Sequence, residues 1–473
     1  MSLTTQCASA KPRAAGDRIM LSFLGLAFAR AWLAILFANP LSKGYGATYG
    51  SVLFDVAYVA CAFVALAALR RIVPITARAW SWAVPLCLME ASSVLFVLGQ
   101  AGPLDAQVAH VASSIAGGAG FLAFCLYNAE VLATQPLRNV MMYLALAPVL
   151  SFVLTFFLTD VGFERTAVAL LLLPAAAVAL CMNGLSLVPP QLRPKSDFPR
   201  FTVPWILIAL LSVYSFVYGL HQSGLTPGVG RYSSLVNAAV GLVAVMWVAF
   251  FSSKVSFRIL YGAPVILLVC GFVLISLHGF IAAYVADALI AAAFGLATLI
   301  ISFMFYDMSK RLGVPIAAFS AAYAATNVFG LLGQAASGLM ASYPAYGSIV
   351  SAITYVAIAA LLLLLGYATI ADRTLFERWG IRLTEDDAPE MLRRSELVEL
   401  RCRDFSKAHG LTAREQEVLA LVAQGLSSRE VQDRLFIAEG TFKTHMRHIY
   451  EKSGVRGMKR LRQMLGEGDQ NAH

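Results

Sequence analysis

Two long cations with a small polar residue between them stand in the stretch GTFKTHMRHIYEKSG, Gly440–Gly454, near the end of the chain. At about 100° per residue, Lys443, Thr444 and Arg447 fall on one side of a helix. Such side chains suit base edges and phosphates in a DNA major groove. The residues predicted to pack inward on the other side are Phe442, Met446 and Ile449, with His445 beside them. An ordinary amphipathic helix with a solvated basic face is the alternative.

Helix-start signals surround this stretch. Thr412 with Glu415 makes a capping box for a helix that ends before Gly425, and Ser427 with Glu430 makes a second one. The third and fourth helices are predicted over 439–452 and 456–465. Four short helices at this spacing are sufficient for a small helix-turn-helix domain.

The order of residues in LTAREQEVLALVAQGLSSREVQDRLFIAEGTFKTHMRHIYEKSGV resembles the LuxR-type helix-turn-helix. That family's pattern runs L-T-x-R-E-x-E-V-L, a Gly turn, T-V-K-x-H and K-x-G-V. The resemblance implies that Lys443, Thr444 and Arg447 read bases and that Thr441 holds the phosphate backbone. Arg429 and His445 complete the predicted DNA-binding set. The implied partner is double-stranded DNA, bound as a dimer through the fourth helix.

Two positions depart from the family's pattern. Ala438 replaces the usual Ser before the third helix, and this removes an N-cap side chain worth about 1 kcal/mol. Met458 stands where an Arg often follows the Gly-Val pair. Residues 411–465 still carry ten basic and six acidic side chains, which suits contact with phosphates.

The rest of the chain has a very different composition. Of all 473 residues, 59% are hydrophobic and 13% are charged, and the mean hydropathy is +0.71. The first 371 residues hold 28 charged side chains, whereas the last 102 hold 35. We therefore predict a membrane domain over 1–371, a charged and partly helical linker over 372–410, the helix-turn-helix domain over 411–465 and a flexible tail over 466–473. In the linker, Met391, Val398, Cys402 and Phe405 form a narrow apolar stripe, which suits either a relay helix or a spacer resting on the last domain.

Twelve apolar segments are long enough to cross a membrane, which takes about 20 residues. They are 19–38, 50–69, 80–99, 106–129, 139–158, 165–184, 202–221, 233–251, 259–277, 280–304, 315–340 and 346–370. Apolar runs of this length exclude buried strands, so the fold class is all-α. The small residues dense in 106–126 and 317–340 are expected to let helices approach closely.

Basic residues alternate between the connecting loops. One side carries 14 Lys and Arg residues, including Arg70, Arg138 and Lys310, and the other side carries three, Lys43, Arg165 and Arg231. The basic side of a plasma-membrane protein faces the cytoplasm. The chain is therefore predicted to be a multi-pass cell-membrane protein with both termini in the cytoplasm.

The longest loop between spans, 186–200, separates the spans into six and six. This layout resembles the major facilitator superfamily, whose halves surround a site near the bilayer midplane. The loop between spans two and three, LRRIVPITARAW, has the bases of that family's Gly-x-x-x-Asp-Arg-type motif and lacks its acid. This departure weighs against active transport.

Charged residues inside the spans are costly unless they are paired or hydrated. Arg30, Glu90 and Asp287 lie within spans one, three and ten, and they are predicted to form the polar floor of a ligand pocket. Its aromatic walls are assigned to Tyr214 and Tyr218, with Trp247 as a further candidate. A structural ion pair of Arg30 with Glu90 or with Asp55 is an equally open alternative, and Asn327 and Gln334 are assigned to interhelical hydrogen bonds or to the same pocket.

These features together favour a membrane-embedded one-component transcriptional regulator, which also resembles a group of membrane-bound LuxR-type bacterial regulators. Its bundle would sense a small molecule or a membrane signal. The alternative is a major-facilitator-like transporter with an attached regulatory DNA-binding domain. No Walker loop, HExxH or nucleophile-elbow motif is present, so no enzymatic activity, cofactor or metal is predicted.

Overall fold

The computed structural model describes two compact units of the chain, Met1–Leu383 and Thr384–His473. In the first unit it covers 20–38, 47–78, 80–158, 161–188, 193, 205–222, 229–251, 257–275 and 280–342. In the second it covers 402, 405–406, 409–423, 428–435, 437–455, 457 and 461. Within these residues the structure is helical and contains no strand, so the all-α prediction is confirmed.

The described part of the first unit contains eleven α-helices. They are α1 Gly25–Ala38, α2 Ala47–Ile72, α3 Ala83–Ala101, α4 Ala106–Ala133, α5 Leu137–Leu158, α6 Phe163–Ser186, α7 Trp205–Gln222, α8 Val229–Met246, α9 Phe257–Ile275, α10 Phe280–Leu312 and α11 Ile316–Ser342. Short 3-10 turns cover Leu21–Phe23 and Ile75–Ala77, and a π-helical turn, Trp247–Phe251, extends α8. The helices coincide with the first eleven predicted spans. The twelfth, 346–370, lies outside the described residues.

Seven of these helices are long and apolar enough to cross a membrane, namely α2 to α6, α10 and α11. The other four, α1 and α7 to α9, are shorter apolar helices. A bundle of this kind exposes apolar side chains such as Phe156, Phe157 and Phe250, each at least 67% exposed, on its outer surface. Exposed aromatic side chains at this density suit contact with lipid.

Close helix contacts hold the bundle together. Helices α2 and α11, and likewise α5 and α8, pack across the two halves of the bundle. Gly118 of α4 lies so close to the backbone of α2 that a Cβ would collide with the Phe54 carbonyl oxygen. A Cβ on Gly241 of α8 would likewise collide with the Ala145 carbonyl oxygen of α5. The expected role of the small residues in 106–126 is therefore confirmed, and glycine also permits contact between the halves.

Helix α10 is longer than predicted, because it continues to Leu312 instead of ending near residue 304. Its polar extension contains the buried Asp307, whose carboxylate accepts a hydrogen bond from Arg311 Nε at 2.9 Å. Lys310 Nζ donates to the carbonyl oxygen of Gln135, between α4 and α5. The extension thus ties the second half of the bundle to the first at this end.

The loop between α2 and α3 is held by a carboxylate that comes from another helix. Glu130, near the end of α4, accepts hydrogen bonds from the backbone N–H groups of Ile75 and Thr76 and from the Thr76 hydroxyl, each at 2.9 Å. This loop has no acidic residue of its own, but Glu130 of α4 provides a carboxylate beside it.

The second unit is a small helical domain. Its helices in the described residues are α12 Ala413–Ala423, α13 Ser428–Leu435 and α14 Glu439–Ser453. Their core contains Val418, Leu419, Val422, Val431, Phe442, Met446 and Ile449. Cys402 and Phe405 pack against the same core, which supports the interpretation that this part of the linker rests on the last domain. Ser427 and Gly425, and most of the fourth predicted helix, lie outside the described residues, although Leu461 is buried in the core.

Candidate DNA-binding face and membrane cavity

The start of α12 carries the predicted capping box. The backbone N–H of Thr412 donates to Glu415 Oε2 at 2.8 Å, and the N–H of Glu415 donates to Thr412 Oγ1 at 3.4 Å. These two bonds satisfy N–H groups that have no partner within the helix. The capping box is thereby confirmed, and it fixes the point at which the helix-turn-helix begins.

Glu415 also connects α12 to α14. Its Oε2 accepts a bond from Lys452 Nζ at 2.7 Å, and His448 Nδ1 lies 3.5 Å from its Oε1. Burial alone would raise the pKa of Glu415, but the hydrogen bonds from Lys452 and Thr412 outweigh it and lower the pKa to about 2. The carboxylate therefore stays ionised and fixes α14 against the rest of the domain.

Helix α14 has the two faces that its sequence predicts. Phe442 and Met446 are 4% exposed and Ile449 is fully buried, so these residues anchor the helix in the core. On the other face, the side chains of Lys443 and Arg447 are 72% and 67% exposed. The core thus orients the helix so that its cations face outward.

Both cations are paired along the helix. Lys443 Nζ lies 2.6 Å from Glu439 Oε1, and Arg447 Nε lies 3.8 Å from Glu451 Oε1. Glu439 and Glu451 are themselves exposed, and pairs of this kind contribute little to stability. The hydrogen bond from Lys443 lowers the pKa of Glu439 below its ordinary value. A phosphate or a base edge that approaches either cation therefore competes only with a weakly bound carboxylate.

The other predicted contact residues are placed differently. Thr441 and Thr444 are exposed, and the Thr444 hydroxyl donates to the Gly440 carbonyl oxygen of its own helix at 2.9 Å. His445 is half-buried beside the core face. The side chain of Arg429 lies outside the described part of the domain.

A groove of about 360 Å³ runs between α13 and α14, next to the exposed cations. Ser428 and Gln432 of α13 line it together with Lys443 and Arg447. Ser428 and Gln432 were not among the DNA-contact residues predicted from the sequence. Their position opposite Lys443 depends on how two short helices cross, which spacing along one helix does not reveal.

The membrane unit encloses a second cavity, of about 440 Å³. Four helices of the first half, α1, α2, α4 and α5, and four of the second, α7, α8, α10 and α11, contribute its lining. The cavity therefore lies at the junction of the two halves. Its size is within the range of ligand sites, which are about 300–1,000 Å³.

Two of the five predicted pocket residues, Arg30 and Tyr218, line this cavity. Glu90, Asp287 and Tyr214 are not among its described lining residues. Asn327 and Gln334, for which the pocket was one of two predicted roles, also line it. Further polar lining residues are Asp55, Asn128, Asn237 and Tyr323. Depth along a span predicts whether a residue lies near the midplane, but not which way its side chain turns.

Neither predicted ion pair is present among the described residues. Asp55 forms a hydrogen bond with Gln334, and Glu90 accepts one from the backbone of Ala175 in α6. No salt bridge within 4.0 Å joins Arg30 to another residue that the structure describes. Within the described part of the bundle, Arg30 therefore lines the cavity without an ion-pair partner.

The C-terminal unit matches a known protein family. Residues 409–465 match the GerE family, the bacterial regulatory proteins of the luxR family. These residues form a LuxR-type DNA-binding domain. The HTH-type transcriptional regulator MalT of Yersinia pestis is 34% identical over 91 residues, which are 18% of this chain and 8% of MalT. Another regulator of the HTH type, Rv0890c of Mycobacterium tuberculosis, is 42% identical over 45 residues, or 10% of this chain and 5% of Rv0890c.

The chain spans less than a tenth of the length of either of these curated relatives. The membrane unit has other relatives. A bacterial homologue of the iron transporter ferroportin, in an outward-facing state, superimposes with a TM-score of 0.52 at 14% identity over 76% of this chain and 98% of that chain. The human organic anion transporter MFSD10 gives 0.50 at 14% identity, over 73% and 97%. At this identity the likeness shows the fold alone, a major-facilitator-like bundle in a multi-pass membrane protein.

Proposed function

We propose that the chain is a membrane-embedded one-component transcriptional regulator. A twelve-span bundle with both termini in the cytoplasm senses a small molecule or a membrane signal and controls DNA binding by the LuxR-type domain. The observation that carries this proposal is the presence, in one chain, of an outward cationic face on a DNA-binding domain and a ligand-sized cavity between two halves of a membrane bundle.

The predicted contacts divide into two kinds. Lys443, Thr444 and Arg447 read base edges, because they are exposed on the helix that the core turns outward. Thr441, Arg429 and His445 hold phosphates and set the position on the duplex. A second copy of the domain, joined through the segment 456–465, supplies the other half-site.

The bundle controls the domain through its conformational equilibrium. A ligand shifts an equilibrium only by as much as its affinity differs between the two states. A cavity lined by both halves meets this requirement, since any rocking of one half against the other changes its shape.

The double variant Lys443→Ala with Arg447→Ala tests the DNA-reading assignment. Two lost charged contacts are expected to weaken promoter binding by at least about 100-fold. The control exchanges the cations, Lys443→Arg with Arg447→Lys, and keeps charge while changing donor geometry. We expect it to retain salt-dependent, non-specific binding and to lose sequence preference.

Both readouts are needed, namely transcript profiles of cells that carry each variant and binding of purified full-length protein to labelled promoter DNA. Membrane levels of each variant, measured by immunoblot, show that the chain is intact. If the alanine double variant reproduces the wild-type transcript profile, this face does not read DNA.

A transporter with an attached regulatory domain is the second candidate. The cavity between the halves and the likeness to transporter folds favour it. Glu130 restores a carboxylate to the loop between α2 and α3, which reduces the objection based on the missing acid. Uptake into proteoliposomes of a compound that binds the protein would support transport, whereas regulation without any uptake would support the sensor.

A further inference from the structure

The position of Arg30 in the bundle is unusual. Its neighbours in α1, Ala29, Ala31 and Trp32, are fully buried, yet Arg30 itself is exposed, and it lines the central cavity. A guanidinium at membrane depth is costly unless water or an anion accompanies it. Among the described residues no carboxylate lies within 4.0 Å of the Arg30 guanidinium, so this cation lies in the cavity without a close acidic partner there.

Asp55 forms no ion pair with Arg30 within 4.0 Å. Of the described lining residues, only Arg30 and Asp55 carry formal charge, and Asp55 is engaged with Gln334. The cavity therefore offers a cation without a close acidic partner and, separately, a carboxylate that is hydrogen-bonded to Gln334.

The wall beside Arg30 is aromatic. The rings of Tyr218 and Phe294 are stacked with their centroids 4.2 Å apart and their planes 11° from parallel. Phe54 and Phe121, whose ring centroids are 6.2 Å apart, add a second aromatic surface. Stacked faces of this kind favour a flat, apolar body over a hydrated ion.

From this combination we infer that the cavity binds a small organic carboxylate. Its carboxylate pairs with the guanidinium of Arg30 in the bidentate geometry that such groups favour, and its apolar body, about the size of one ring, lies against Tyr218 and Phe294. The inference rests on the proposed function in one respect, in that this cavity is the sensory site.

The first test compares matched neutral and anionic probes on the wild-type, full-length protein in nanodiscs. The probes are benzoate, phenylacetate, 3-phenylpropanoate and cyclohexanecarboxylate, each with its primary amide, and inorganic phosphate. Calorimetric titration is expected to show at least one carboxylate binding about 10- to 100-fold more tightly than its amide. Equal affinity within every pair, or no binding by any carboxylate, would overturn the inference, and so would phosphate binding as tightly as the best carboxylate.

The second test changes the cation. Arg30→Gln is expected to abolish the preference for the carboxylate over its amide, and Arg30→Lys to retain charge but weaken carboxylate binding by about tenfold, because the paired donors are lost. Arg165→Gln is the matched control, since Arg165 is exposed at the start of α6 and does not line the cavity. It should bind as wild type. A full preference in Arg30→Gln would overturn the assignment, and Arg30→Lys keeps the test informative if Arg30→Gln fails to fold.

The same proteins separate this inference from the proposed function. Promoter binding is measured with and without the best carboxylate. If the carboxylate binds through Arg30 but leaves promoter binding and transcripts unchanged, the anion site stands and the sensor function fails. If promoter binding responds to some other signal while no carboxylate binds, the regulator stands and the anion site fails.

Discussion

At the scale of single residues, the exposed cations of α14, Lys443 and Arg447, are each paired with a neighbouring acid. Glu439 and Glu451 each lie one turn from the lysine or arginine that they pair with. Ion pairs between exposed side chains are weak, and salt weakens them further. In the proposed complex, DNA phosphates displace these two carboxylates from the cations. The free energy needed to break each ion pair reduces the affinity for DNA by the same amount.

Replacing Glu439 by Gln should tighten promoter binding by about two- to fivefold at low salt, because Lys443 loses its competitor and the face loses one negative charge. Glu451→Gln is the matched control, with the same change in charge. Its effect should be smaller, since Arg447 Nε is 3.8 Å from that carboxylate, against 2.6 Å for Lys443. Binding is measured over a range of salt concentrations. Weaker binding by Glu439→Gln would mean that this carboxylate itself contacts DNA.

The Glu415 network makes the stability of the C-terminal domain depend on pH. The folded-state pKa of Glu415, about 2, lies below its ordinary value of 4.5. The network therefore stabilises the domain fully above about pH 4.5, and this contribution is lost as the pH falls towards 2. Glu415→Gln should cost about 1–3 kcal/mol at neutral pH and remove this dependence on acid.

Amide hydrogen exchange in α12 and α14 of the full-length protein, corrected for the intrinsic effect of pH, measures this stability. Glu417→Gln is the control, because Glu417 is 53% exposed and its ion pair among the described residues is with Arg414 on the same helix. That change should cost less than about 0.5 kcal/mol. A Glu415→Gln domain as protected as wild type at every pH would refute the role of the network.

The sequence predicted residue positions well where one helix alone decides them. The burial of Phe442 and the exposure of Lys443 follow from the angle between them on one helix. Glu90 and Asp287 were placed in the pocket by depth alone, and they do not line it. Rotation about a membrane helix depends on its neighbours, which a strongly apolar sequence does not specify.

At the scale of elements, glycine sets how closely helices of the two halves approach. Gly241→Ala should force α8 away from α5, because the new Cβ would collide with the Ala145 carbonyl oxygen. Overpacking of this kind costs about 1–3 kcal/mol, and the apparent unfolding temperature in nanodiscs should fall. Gly262→Ala in α9 is the matched control, since no atom lies within 4 Å of its Cβ position. Equal melting of the two variants would show that α8 and α5 can separate freely.

Element boundaries were predictable where polarity changes abruptly, and less so where polar residues continue a helix. Helix α10 runs on to Leu312 because Asp307 and Arg311 satisfy each other one turn apart. A hydropathy pattern ends at such residues, although the helix continues past them. The capping box of α12, in contrast, could be predicted because its two residues, Thr412 and Glu415, lie close together in the sequence.

At the scale of the whole molecule, Lys310 ties the two halves of the bundle at one end. Its ammonium donates to the Gln135 carbonyl oxygen, which joins α10 to the connection between α4 and α5. Lys310→Met should favour opening of the cavity at this end by about tenfold. Labelling of Cys125, which lines the cavity, by a membrane-impermeant thiol reagent reports the opening. Arg71→Met removes an equal charge from an exposed position in the last turn of α2 and should leave labelling unchanged.

Faster labelling in Lys310→Met alone would identify this contact as a determinant of the bundle's state, and equal labelling in both variants would exclude it.

The two-part chain and the helical bundle were both predictable from hydropathy and charge, because lipid and water select different compositions. A pocket between the halves was predicted as well, but most of its lining was not, since the lining depends on which faces of eight helices meet.

Ala438 leaves the N-terminus of α14, the proposed recognition helix, without a side-chain cap. It stands at the N-cap of α14 and has no side-chain oxygen to accept from the first-turn N–H groups. A phosphate oxygen docked there would take the place of the absent cap. DNA would then satisfy the first-turn N–H groups of the helix that binds it. Ordering of the α14 N-terminus would therefore be thermodynamically coupled to DNA binding.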